Sequence, residues 1–184
     1  VMPLFVAIYL LAAALAPLPA ASAIPADEAG LRLEVPFTPQ VKDGCGSAAI
    51  AMVMQWWKKH GHEPADAAAL DVLAIHKAVY SPKAKGTPAA EMERYFDRAG
   101  FRAYTFNGEW IDITEHLGKG RPLIVALRPR GQRQLHYVVL SGVSATELLL
   151  HDPAAKPFRV MLRAEFEAQW AASGHWTLLA LPRP

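Results

Sequence analysis

The chain has 184 residues, of which 20% are charged, and its formal net charge is +2. Neither value is typical of a disordered tail or of a nucleic-acid-binding protein, so we expect no nucleic-acid partner. The length suits one domain with a sizeable core once a leader is removed.

A secretory signal peptide is predicted over residues 1–23. Residues 2–16 are almost wholly apolar, and an Ala-x-Ala cleavage signal follows at Ala21–Ala23. The apolar run is shorter than a membrane-spanning helix requires, so we expect no stable membrane anchor after cleavage. The mature protein is expected to begin near Ile24 and to be exported, either to the periplasm or outside the cell. Residues 24–30 are predicted to be a linker, and residues 31–184 one domain.

Helices are predicted for the first half of this domain. A short strand at Leu31–Val35 comes first. The predicted helices then run from Cys45 to Lys59, from Asp66 to about Ala78, and from an N-cap at Thr87, with Pro88 in the first turn, to about Ala99.

Strands are predicted for the second half. The pattern indicates strands at 101–106, 122–127, 134–142, 147–153, 158–162 and 176–181, with helices at 112–117 and 163–172. Helices followed by a mostly antiparallel sheet predict an α+β fold class.

Cys45 is the only cysteine of the chain, and it lies between Gly44 and Gly46 at the predicted start of a helix. The N-terminus of a helix favours a thiolate over a thiol, and the flanking glycines allow a substrate backbone to approach the sulfur. A single unpaired cysteine is also unusual in an exported protein. We interpret Cys45 as a nucleophile; the alternative is a buried structural thiol.

A histidine and an aspartate are predicted to meet across a hairpin. If residues 134–142 and 147–153 pair around Ser144, His136 lies opposite Asp152, and both side chains share one face of the sheet. An aspartate in that position accepts the imidazole N–H and supports the imidazolium. The alternatives are a histidine bonded to a backbone carbonyl and an aspartate that caps the turn at Pro153.

Two further features lie near these residues. Gln40 precedes Cys45, and it is either an ordinary loop residue or the donor of a side-chain amide to an oxyanion. A basic cluster just before His136 is either a solvated loop or a substrate-steering surface; it consists of Arg128, Arg130 and Arg133. His60 and His62 are close together, but no further ligands complete a zinc site, so we expect no metal and no organic cofactor.

The ordered set of these residues resembles a known family. The bacteriocin-processing, double-glycine-leader peptidases, which are papain-like cysteine peptidases, have a similar order of motifs, and the free-standing exported members are the most similar. The resemblance spans roughly residues 31–182 and rests on Gln40, Cys45-Gly46, His136-Tyr137 and Asp152-Pro153. The transporter-linked members usually have Asp where this chain has Gly44, and their glutamine lies one residue further from the cysteine.

The resemblance implies a papain-like fold and a peptidase that acts on a peptide or protein substrate. It implies Cys45, His136 and Asp152 as a catalytic triad, with Gln40 as the oxyanion donor. Two alternatives remain open. One is transamidation or deamidation by the same triad, and the other is an inactive peptide-binding module, which the shorter Gln40–Cys45 spacing leaves possible.

Overall fold

The structure, a computed structural model, describes residues 30–64 and 67–184. Helices come first in this part of the chain and an antiparallel sheet second, so the predicted α+β fold class is confirmed. The predicted signal peptide (1–23), the linker up to residue 29, and Asp66 lie outside the described residues.

The described residues form five α-helices and seven strands. The helices are α1 (Cys45–Lys59), α2 (Val72–Val79), α3 (Ala89–Arg98), α4 (Trp110–Gly118) and α5 (Arg163–Ala171). The strands are β1 (Leu31–Arg32), β2 (Phe101–Asn107), β3 (Leu123–Leu127), β4 (His136–Val143), β5 (Glu147–His151), β6 (Arg159–Leu162) and β7 (Trp176–Pro182).

The sheet has the order β2-β7-β3-β4-β5-β6, with every neighbouring pair antiparallel, and β1 pairs with the end of β4. Helix α1 packs against β4 at the centre of the molecule, and every residue from Gly46 to Met54 is buried. The sequence of α1 is apolar on nearly all sides, which is typical of a helix with no solvent-facing stripe. The bounds predicted for this helix, Cys45 to Lys59, are confirmed.

The second helix was predicted in the wrong form. Instead of one helix from Asp66 to about Ala78, a short 3₁₀ turn (Ala67–Leu70) precedes α2. Asp71 is the N-cap of α2, and its side chain accepts a hydrogen bond from the backbone N of Ala74 at 2.8 Å. A capping aspartate in the middle of the predicted element therefore divides it, because the cap position has extended backbone.

Two smaller predictions were also wrong. Pro88, not Thr87, occupies the N-cap position of α3, where its extended backbone (ψ 142°) begins the helix without a side-chain cap. The first strand is shorter than the predicted Leu31–Val35, because only Leu31 and Arg32 pair with β4. Beyond them, only the backbone N of Leu33 continues the contact, donating to Ser141 O at 2.7 Å.

The predicted register of the β4–β5 hairpin was wrong by two residues. Leu140 lies opposite Leu150, where Leu148 was predicted, and the register shifts again between Leu140 and Gly142. The cause is local. Ser144 pairs with Glu147, its backbone N donating to Glu147 O at 2.8 Å, so the turn is centred beyond Ser144. A shift of two residues keeps side chains on the same faces, whereas a shift of one would invert them.

Candidate active site

Cys45 is the first residue of α1 and is half-buried at the edge of a surface cleft. The residue before it, Gly44, provides no side-chain cap. The first backbone N–H groups of a helix have no partner within it, so they can bind an anion beside the sulfur. The cleft has a volume of about 330 Å³, and its lining includes residues 84–87, Gln132 and residues 134–137.

Thr87 explains why a glycine follows the cysteine. A Cβ atom on Gly46 would lie 2.5 Å from Cβ of Thr87, a distance that real side chains do not tolerate. The loop that ends at Thr87 therefore packs directly on the start of α1. Thr87 also lines the cleft beside Cys45.

His136 begins β4, and its Nε2 lies 2.7 Å from Oδ1 of Asp152. Continuing the observed register past the end of β5 would place Asp152 opposite Val138, diagonal to His136 on the same face of the sheet. Cys45 and His136 line the same cleft, and the neighbouring sulfur raises the pKa of the imidazole. The structure therefore brings Cys45 and His136 into one cleft, with Asp152 bonded to the imidazole, although the register predicted for the last two was wrong.

The contacts of His136 favour its charged form. Burial alone lowers the pKa of His136, but the hydrogen bond to Asp152, the neighbouring Cys45 sulfur and the charges of both outweigh it and raise the pKa to about 9. The side chain of His136 is 20% exposed and that of Asp152 is 7% exposed, so water screens their contact weakly. An imidazolium beside a sulfur at a helix N-terminus is the arrangement that activates a thiol nucleophile.

Arg159, at the start of β6, is a site residue that the sequence analysis missed. Its Nη1 donates to Oδ2 of Asp152 at 2.8 Å, and the backbone N of Ala154 donates to Oδ1 at 3.1 Å. Burial raises the pKa of Asp152, but the contacts with His136, followed by those with Arg159 and Ala154, outweigh it and hold that pKa below its ordinary value of 3.8. Only the β5–β6 pairing brings Arg159 to this place, and no motif in the sequence marks it.

Gln40 lines the same cleft as Cys45. Its backbone N donates to O of Pro153 at 2.9 Å, which joins the segment before the cysteine to the residue after Asp152. Among the groups that the structure describes, Oε1 of Gln40 is buried without a hydrogen-bond partner. All four residues predicted for the site therefore lie around the cleft or directly behind it.

The remaining histidines lie outside this arrangement. His151 is the last residue of β5, and its side chain lies on the opposite face from Asp152. It is buried, with Nε2 2.7 Å from O of Val35. His60 contacts the backbone O of Trp56. In residues 30–64 and 67–184, no group of three or more His, Cys, Asp or Glu side chains is arranged to hold a metal ion. Nor does any helix in those ranges have the length and apolar character needed to cross a membrane.

The comparison with family models gives one match. A model described as the Peptidase_C39 like family matches residues 32–177. A search of the curated proteins finds no match.

Solved structures share the fold. The peptidase domain of Streptococcus ComA, described as a bifunctional ABC transporter of a quorum-sensing pathway, is 21% identical, with a TM-score of 0.63 over 80% of this chain and 98% of that one. A double-glycine-motif protease from an AMS/PCAT transporter, in complex with the leader peptide, is 20% identical, with a TM-score of 0.63 over 83% and 94%. A chain from Bacillus anthracis, described as C39-like, is 15% identical, with a TM-score of 0.63 over 84% and 98%.

Proposed function

The chain belongs to the Peptidase_C39 like family and has the papain-like cysteine peptidase fold, and on that premise we propose that it hydrolyses peptide bonds with a Cys45–His136–Asp152 triad. The observation that carries the proposal is the His136–Asp152 hydrogen bond beside the cleft that also contains Cys45, the first residue of a buried helix. Each member of such a triad needs the next one within hydrogen-bond reach.

The reaction begins with the Cys45 sulfur. Its thiolate attacks the carbonyl carbon of the substrate, a C–S bond forms, and the carbonyl electron pair moves onto oxygen. The backbone N–H of Cys45 and the side-chain NH2 of Gln40 donate to this oxyanion. The electron pair then returns, the C–N bond breaks, and the imidazolium of His136 gives its proton to the leaving amine.

A water molecule completes the cycle. Neutral His136 accepts a proton from the water as the oxygen attacks the thioester carbon, and the C–S bond then breaks to release the carboxylic acid. The sulfur and the imidazole return to their first state. Asp152 keeps the imidazole in one orientation throughout, and Arg159 holds the second carboxylate oxygen of Asp152. The attack on the thioester carbon distinguishes hydrolysis from transamidation, because an amine that attacks in place of water would form a new amide.

The substrate is proposed to be a peptide segment in an extended conformation. One similar structure is described as a complex with a leader peptide, which supports a peptide ligand for this cleft. Cys45 is half-buried and lines the cleft, so a substrate backbone can reach the sulfur. A quenched-fluorescence peptide library that includes Gly-Gly sequences therefore suits a first survey of cleavage.

The decisive experiment labels the thiol and measures cleavage in the same preparation. An iodoacetamide-based probe should modify Cys45 rapidly in the wild-type chain and slowly in His136→Ala, and library peptides should be cut only by the wild type. Cys45→Ser is the matched variant, because serine is close to cysteine in size and should leave the melting temperature unchanged. Rapid labelling without cleavage of any library peptide would favour the inactive peptide-binding module. Cleavage by Cys45→Ser would reject the nucleophile.

Export is proposed from the apolar leader and its cleavage signal. When the full chain is expressed in a bacterium, the extracytoplasmic fraction should contain a protein that begins at or near Ile24. N-terminal sequencing measures this directly, and an intact leader on the recovered protein would contradict the proposal.

A further inference from the structure

Residues 128–135, here named the arginine loop, join β3 to β4 and lead directly into His136. The loop contains three arginines and no acidic residue, and all of it except Pro129 is exposed. Its conformation is defined by the backbone: Gln132 N donates to Pro129 O at 3.0 Å, and Gly131 adopts a left-handed φ of +80°. The three guanidinium groups therefore project from an ordered turn beside the candidate active site.

The positive charge of the arginine loop is not neutralised within the described parts of the chain. Arg128, Arg130 and Arg133 make no ion pair with any described carboxylate. The acidic residues of the adjacent helix α5 have other partners. Glu165 contacts Arg159 and Gln169, and Glu167 faces His175.

A groove of about 450 Å³ separates the arginine loop from α5. Arg128 and Arg130 form one wall, and the small residues Ala168 and Ala172 form the other. Gln132 lines this groove, the cavity of about 270 Å³ around the His136–Asp152 contact, and the cleft that contains Cys45. A single peptide can therefore occupy both the groove and the cleft.

We propose that the groove is an accessory binding surface for an acidic segment of the peptide substrate, a proposal that rests on the peptidase function above. Carboxylates of that segment pair with the arginine loop, while the bond to be cut lies at Cys45. Arginine suits this role, because its planar guanidinium binds a carboxylate through two parallel hydrogen bonds. The small side chains of α5 leave room for a peptide backbone, and the unpaired charge attracts acidic peptides from a distance.

Binding can be measured without turnover in the full chain carrying Cys45→Ala. The probes are fluorescein-labelled hexaglutamate and hexaglutamine, followed by fluorescence anisotropy. One surface ion pair changes an equilibrium constant by about twofold, so pairs with Arg128 and Arg130, which line the groove, should make hexaglutamate bind about fourfold more tightly. This preference should shrink as NaCl rises from about 20 to about 200 mM, because salt screens exposed charges.

The variant that tests the surface is the triple substitution Arg128→Gln, Arg130→Gln and Arg133→Gln, which should remove the preference. Arg102→Gln is the matched control, because Arg102 is exposed on the edge strand β2, which β7 separates from β3, and it should keep the preference. Undiminished binding of hexaglutamate by the triple variant would overturn the proposal. So would tighter binding of vesicles rich in phosphatidylserine than of hexaglutamate, because the occupant would then be a membrane.

A cleavage assay separates this proposal from the peptidase proposal. Two quenched peptides with the same residues at the cut, flanked by Glu in one and Gln in the other, should differ about fourfold in KM and little in kcat for the wild type. Equal KM values would reject the accessory surface and leave the peptidase intact. If no peptide is cut and no probe labels Cys45, the peptidase proposal fails, whereas the anisotropy result still decides whether the surface binds acidic peptides.

Discussion

Replacing Asp152 by asparagine tests the proposed triad, because the structure uses both oxygens of this carboxylate. Oδ1 accepts hydrogen bonds from His136 and Ala154, and Oδ2 accepts one from Arg159. Asparagine has only one acceptor oxygen, so its NH2 group must face either the imidazole N–H or the guanidinium. Either orientation leaves one of these donors without its acceptor and removes the negative charge.

The size of the effect follows from the pKa of His136. A rise from 6.5 to about 9 corresponds to about 3 kcal/mol in favour of the imidazolium, at about 1.4 kcal/mol for each pKa unit. Burial opposes this rise, and the hydrogen bond to Asp152 is the largest contribution that produces it. A hydrogen bond to a charged group contributes about 2 kcal/mol, so we expect kcat/KM of Asp152→Asn to fall about 30-fold.

The pH profile separates this mechanism from a general loss of structure. The imidazolium is present below the pKa of His136 and is lost as pH rises through about 9, so the wild-type kcat/KM should decline on that alkaline side. Without the carboxylate, the pKa of His136 should move down toward 6.5. The alkaline decline of Asp152→Asn should therefore begin at lower pH, both in kcat/KM and in the rate at which iodoacetamide modifies Cys45.

The matched control is Asp97→Asn. Asp97 pairs with Arg183 at 3.0 Å on the exposed surface, so the same chemical change there breaks an ion pair away from the cleft. It should leave kcat/KM and its pH profile unchanged. If Asp152→Asn retains the wild-type alkaline decline and loses less than about twofold in kcat/KM, the carboxylate does not support the imidazolium and our reasoning is wrong.

Three further predictions follow from single contacts. Arg159→Gln should lower kcat/KM about threefold, because its pair with the carboxylate is partly exposed, and Arg159→Lys should recover most of the loss. Gly46→Ala should lower the free energy of unfolding in urea by about 1–3 kcal/mol through its clash with Thr87, whereas Gly118→Ala, with no atom within 4 Å of its Cβ, should not. Burial lowers the pKa of His151 despite its bond to a backbone carbonyl, so the free energy of unfolding should fall as pH drops below about 6.5. The variant His151→Gln should lack that part of the fall.

The helix that carries Cys45 could be predicted residue by residue because its signals are local. Glycines flank its first residue, an apolar run fills its length, and Lys59 followed by His60-Gly61 ends it. The division of the second predicted helix at Asp71 was missed because Asp66 also suited a cap. Propensity alone does not rank two capping residues five positions apart.

The hairpin register could not be predicted in full, since it depends on an irregularity and not on the alternation of side chains. The bulge near Ser141 and the turn closed by Ser144 moved the pairing by two residues. The predicted meeting of two side chains survived this error because an even shift preserves the face. The contact of Arg159 could not be predicted in this way, because Arg159 reaches the carboxylate of Asp152 only through the pairing of β6 with β5.

The location of Gln40 relative to Cys45 depends on how the segment between them is held, as well as on the number of residues in it. A backbone bond at 2.9 Å ties Gln40 to Pro153, the residue directly after Asp152. A turn closed between residues 41 and 44, with Asp43 in the left-handed region (φ 57°), shortens the path from there to the cysteine. The backbone of Gln40 is thus held by the turn that follows β5. We therefore expect this chain to bind an oxyanion although its spacing differs by one residue from that of the transporter-linked members.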